Sequence, residues 1–117
     1  MTSESVASIY VDAVAPNGNT VRCEIAIRLP ELQATGEYGC ALTIPNQSTP
    51  RTIYGNDSLQ SLALAIRFLS MQLRAQFDEG WRFYETEDDE RKGDGMTFES
   101  YFLDRYWPNP KNSFGDT

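Results

Sequence analysis

The sequence predicts a single α+β domain: an antiparallel sheet of about four strands packed on one long helix, in the order β-β-β-α-β, followed by a short C-terminal helix. Three observations predict it. Val21, Cys23, Ile25 and Ile27 alternate with Arg22, Glu24, Ala26 and Arg28, the period of a half-buried strand. Asn17-Gly18 separates that run from another β-forming run, a strong short-range hairpin signal. From Gly55 to Phe77, apolar residues recur at helical spacing behind a capping pattern.

In chain order, residues 8–15 carry β-formers in partial alternation and lead into the turn Pro16-Asn17-Gly18-Asn19. Residues 20–29 are the second strand. Residues 30–36 read as a connection, and residues 37–44 as a third strand with Tyr38, Cys40, Leu42 and Ile44 on one face. Pro45 ends it, and the turn-rich stretch 46–55 reads as a loop. By this reading the strands form a meander, with Cys23 and Cys40 both on its apolar face and placed to be core neighbours. Burial as small hydrophobes is the simplest role for the two thiols, and a cross-strand disulfide is the alternative.

Asp57 stands at the N-cap of the long helix, and Gln60 completes a capping box. Leu59, Leu62, Ile66, Leu69, Leu73 and Phe77 then share one face, which Leu64, Phe68 and Met71 widen. Gln60, Arg67, Arg74 and Asp78 form the opposite stripe, and Gly80 is placed to stop the helix in a left-handed cap. A helix of about 22 residues spans about 33 Å, enough to cross a small sheet. Packing on the meander is its simplest use. The added apolar positions suggest that a second element or another subunit covers the flank. Residues 81–86 read as the fourth strand, with Trp81 and Phe83 on one side, and residues 87–95 as a charged loop. Residues 96–107 read as the short helix, with Phe98, Phe102, Leu103 and Tyr106 inward, and residues 107–117 as a loose tail.

A chain of 117 residues without an internal repeat or linker is one domain, residues 1–117. No apolar run approaches the ~20 residues that span a bilayer. The first residues lack the basic and apolar regions of a secretory signal, so the expected location is cytoplasmic. The net charge of −7 argues against direct nucleic-acid binding, which needs a basic face. With no histidine and two cysteines, an ordinary zinc set or a histidine-based acid–base site has no ligands or base to draw on. No glycine-rich phosphate cradle is present, and no cofactor is expected. Counted from Asp88, the acidic loop places Asp88, Glu90, Lys92, Gly93 and Glu99 in a calcium-loop frame. The lysine stands where a calcium ligand belongs, so no metal is expected either.

The acidic run is better suited to a protein partner. Asp78, Glu79, Glu85, Glu87, Asp88, Asp89 and Glu90 are opposed in that stretch by Arg82 alone, and an aromatic-rich segment follows it. Acids steer a basic partner, and tyrosine and tryptophan are enriched at binding hot spots. The candidate partner-binding residues are therefore Glu85, Glu87, Asp88, Asp89, Glu90, Asp94, Tyr101 and Trp107.

The stretch from Tyr54 to Leu69 resembles the helix-start motif of a family of small bacterial proteins of unknown function, roughly Gly-x-Asp-Ser-hydrophobic-Gln-Ala-Leu before an apolar helix. Gly55, Asp57, Ser58, Leu59, Gln60 and Leu62 match it, with Ser61 where alanine is usual. The resemblance covers about half the chain. It implies a bacterial α+β domain and assigns no active residue. Taken together, these features lead to the expectation of a non-catalytic protein-binding module, in its most concrete form an immunity protein that neutralises a basic toxin through an acidic, aromatic surface. The alternative is a small-ligand protein or enzyme with a carboxylate-based site between sheet and helix. A third reading is an assembly subunit that dimerises through the wide apolar helix.

Overall fold

The computed structural model describes residues 4–86 and Gly95. Its elements are β1 (Ser5–Val14), β2 (Thr20–Arg28), β3 (Glu31–Leu32), β4 (Tyr38–Thr43), β5 (Arg51–Gly55), α1 (Ser58–Asp78) and β6 (Arg82–Glu85). The class is α+β, an antiparallel sheet on one helix, as the alternation and the helical stripe predict. The sheet has six strands rather than four, in the order β3-β4-β2-β1-β6. β2 and β3 share one side of β4, and β5 takes the other. The predicted helix at 96–107 and the tail after it lie outside the described residues.

Both extra strands come from segments read as connections. β3 is two residues long and follows Pro30, which lacks the N–H a ladder needs. The pairing with β4 slips by one residue across Leu29-Pro30, from Ile27↔Leu42 to Glu31↔Gly39. β5 follows a run of turn residues ending in Pro50, and its five residues are too few for alternation to show. Its antiparallel pairing with β4 runs without interruption from Tyr38↔Gly55 to Leu42↔Arg51.

The β1–β2 hairpin forms where Asn17-Gly18 marks it, with a longer connection than a two-residue turn. Ala15 N–H donates to Asn19 O, leaving Pro16, Asn17 and Gly18 as the loop, with Gly18 at φ 92°. A turn followed by one left-handed residue is the usual three-residue hairpin solution.

Alternation assigns each face of the sheet. Val11, Ala13, Ile25, Ile27, Cys40, Leu42, Ile44 and Phe83 form the buried inner face, against which Ala65, Leu69 and Leu73 of α1 pack. The helix begins as its capping pattern predicts. Gln60 N–H donates to Asp57 Oδ1 at 2.7 Å, and Asn56 N–H donates to Gln60 Oε1 at 2.7 Å. It ends in a Schellman motif: Trp81 N–H donates to Gln76 O, Gly80 N–H donates to Phe77 O, and Gly80 sits at φ 106°. No helix among the described residues is long and apolar enough to cross a membrane.

Candidate functional site

The Schellman turn delivers the chain straight into β6, an outer strand that pairs with β1 from Val14↔Arg82 to Val11↔Glu85. Phe83 enters the core and Tyr84 is buried on the opposite face. Arg82 anchors the strand's first residue. Its guanidinium lies 3.8 Å from the centre of the Phe77 ring and donates to the carbonyls of Phe77 and Trp81 at 3.0 and 2.7 Å. A cation among the last carbonyls of a helix also complements its dipole. Gly95 forms a parallel bridge with Phe83, and a Cβ there would come within 2.3 Å of Phe83 O, so only glycine fits.

At its far end β6 emerges beside a shallow cleft of about 270 Å³ lined by Ile9, Tyr10, Glu85 and Thr86. Glu85 is exposed, and Tyr10 keeps 58% of its surface in solvent. Glu24 pairs with Tyr10 across β2 and reaches Arg28 at 3.6 Å. One step along β1, Asp12 is buried and meets Arg22 at 3.4 Å. An exposed ring, an apolar contact from Ile9 and the carboxylate of Glu85 thus meet at the cleft, where the last residue of β6 lies within the acidic run of the sequence.

Of the predicted partner-binding residues, Glu85 lies at this cleft. Glu87, Asp88, Asp89, Glu90, Asp94, Tyr101 and Trp107 lie outside the described residues, as does the calcium-loop frame. Tyr10 was missed by sequence reasoning, although a signal exists: it stands between Ser8 and Asp12 on the polar side of an alternating strand, where a large aromatic is unexpected. Among the described residues no group of three or more acids and thiols is placed to hold a metal ion.

The two thiols are not the core neighbours that register suggested. Cys40 Sγ donates to Arg28 O at 3.3 Å, whereas Cys23 sits five residues earlier on β2. That is about 17 Å along a strand, far beyond disulfide reach. Both are free. Burial pushes both thiols above their ordinary value of 9.0. At Cys23 a hydrogen bond involving the Ala13 backbone works against the rise and the Asp12 charge adds to it. The buried polar side chains among the described residues are Asp12, on the face away from α1, and Ser61, within the helix.

The helix-start motif has a local structural explanation at each position. A Cβ on Gly55 would lie 2.5 Å from Ser61 N, so β5 abuts the first turn of α1 with no room for a side chain. Asp57 caps, Gln60 closes the box, and Ser61 is fully buried with its hydroxyl on Ser58 O. Farther along, Gln76 accepts from Asn46 and donates to Pro45 O, while Gln47 donates to Gln72, which binds the β4–β5 loop to the helix.

Residues 13–96 match the family described as a domain of unknown function, DUF6968, and the chain belongs to that family. No curated protein and no solved structure matches it.

Proposed function

We propose that the domain works by binding another protein, as an immunity-type inhibitor whose acidic, aromatic surface holds a basic toxin domain. The observation that carries this reading is the convergence of exposed Tyr10, the Ile9 floor and Glu85 at the cleft where the acidic run leaves the sheet. A ring beside an apolar depression supplies desolvated contact area, and Glu85 at the cleft, with the acidic run of the sequence, supplies steering. Strand anchoring by Arg82 supports the same reading, because a preorganised patch loses less entropy on binding.

The test is affinity capture from lysate of the source organism, washed at low and then high salt and identified by mass spectrometry. One basic protein held in stoichiometric amount, and released by salt, is the expected result. Tyr10→Ala and Glu85→Lys should each reduce its retention about tenfold or more while the circular-dichroism melt is unchanged. Retention that ignores both substitutions would sink the reading.

A further inference from the structure

α1 also carries a surface on the opposite side of the molecule from β6. Leu64, Phe68, Met71 and Ala75 recur along one flank of the helix beside its buried face. Leu64 and Met71 are 39% and 56% exposed. Arg51 of β5 lies over the Phe68 ring at 4.9 Å, which places this flank above β5. Among the described residues β5 pairs with β4 alone, over five consecutive registers without a bulge. It contains no proline or lysine, the usual devices that blunt an edge. An open strand edge therefore runs beside an exposed apolar stripe.

Charge identifies the occupant. α1 contains Arg67 and Arg74, and its one acid is Asp78 at the last position. The described ion pairs engage Arg22 and Arg28, leaving Arg51 and Arg67 without a carboxylate among the described residues. In a chain of net charge −7 this is a local reversal of sign.

We propose that this surface docks an extended acidic segment of a partner protein, which adds as a strand to β5, sets carboxylates against Arg51 and Arg67, and rests apolar side chains on Leu64 and Met71. A polypeptide backbone supplies ladder partners at the strand's own spacing, and its alternate side chains face the helix. Arginine takes carboxylates in paired hydrogen bonds, which sets register as well as affinity. An anionic membrane or a nucleic acid would meet the same arginines, but it would leave the strand edge unpaired. A second copy would bring two arginine-bearing flanks together.

The experiment is selection from a phage-displayed random peptide library on the full chain, followed by fluorescence anisotropy of a recovered peptide. The expected peptides are rich in Asp and Glu interleaved with apolar residues, and their binding weakens with salt. Arg51→Glu and Met71→Asp change exposed side chains and should each weaken binding about tenfold or more, with the thermal melt unchanged. Tyr10→Ala and Glu85→Lys should bind the peptide as the parent does, so failure here is distinct from failure at the β6 cleft. Peptides without acid enrichment, or equal binding by the Arg51 and Met71 variants, would overturn the proposal. A dimer in sedimentation that Met71→Asp dissolves would assign the surface to a second copy. Co-sedimentation with phosphatidylserine vesicles that Arg51→Glu abolishes would assign it to a membrane. Either result overturns the peptide.

Discussion

The two outer strands β5 and β6 are each tied to α1 by an arginine over a phenylalanine, yet the two ties differ in kind. Phe68 and Phe77 are nine residues apart, which at about 100° per residue puts them on opposite flanks of the helix. Arg82 is half-buried, 3.8 Å from its ring, and hydrogen-bonded to two carbonyls. Arg51 is exposed, 4.9 Å from its ring, and has no carboxylate partner among the described residues. The same pair of residue types is a clamp where its donors are used inside the fold and a handle where they are not. β5 is held instead by backbone contact at Gly55 and by the glutamines that bind its preceding loop.

The largest expected effect breaks the β5 side. Gly55→Ala forces a methyl to within 2.5 Å of Ser61 N, and backbone cannot swing aside as a flexible side chain can. The strand must separate from the helix start, at a cost of about 3 kcal/mol. A thermal melt should fall by about 10 °C. If the substitution is silent, the close approach of β5 to α1 is wrong.

That glycine also illustrates what was legible in the sequence. The capping residues Asp57 and Gln60 and the stop at Gly80 are local signals, and each forms as read. β2 forms too, with Ile25 and Ile27 buried, but Val21 at its start is exposed and Ala26 on the other face is buried. Gly55 is visible in the motif, but its reason is not, because the contact that requires it joins the end of a strand to the start of the helix. β5 itself was hidden for a related reason. Five residues after a proline carry little periodicity, and the strand exists because β4 offers a partner. The cysteines were assigned to the correct face and the wrong distance, since position along a strand depends on a register that alternation does not fix. At the candidate site Glu85 was legible as a member of the acidic run. Tyr10 carried a signal in its polar setting on β1, but its place near Glu85 follows from the β1–β6 pairing, which ends one residue away at Val11↔Glu85.

A smaller effect sharpens the comparison of the two arginines. Arg82→Leu keeps the apolar stem over Phe77 but removes the donors to Phe77 O and Trp81 O. The expected loss is about 1–2 kcal/mol in urea unfolding, with unchanged slope. Arg51→Leu should change stability by no more than about 0.5 kcal/mol, since an exposed cation–π contact contributes little. Equal losses in the two variants would show that both arginines are clamps and would remove the distinction between a structural edge and an available one.

The smallest expected effect concerns the thiols of the interior strands β2 and β4. Burial raises Cys40 and Cys23 above 9.0, so between the ordinary and the raised value the folded chain keeps protons that the unfolded chain has lost. The unfolded state then binds fewer protons, and stability falls as pH rises. The contribution is fully present below the ordinary thiol value and disappears as pH climbs through the raised one. Stability measured by urea unfolding should therefore decline above about pH 9. Cys40→Ala should shrink that slope, because it removes a fully buried thiol whose rise has burial as its one cause. Cys23→Ala should shrink it as well, because burial and the Asp12 charge raise that thiol despite the opposing hydrogen bond involving the Ala13 backbone. A slope that both variants leave intact would detach the alkaline limit of this fold from its buried thiols.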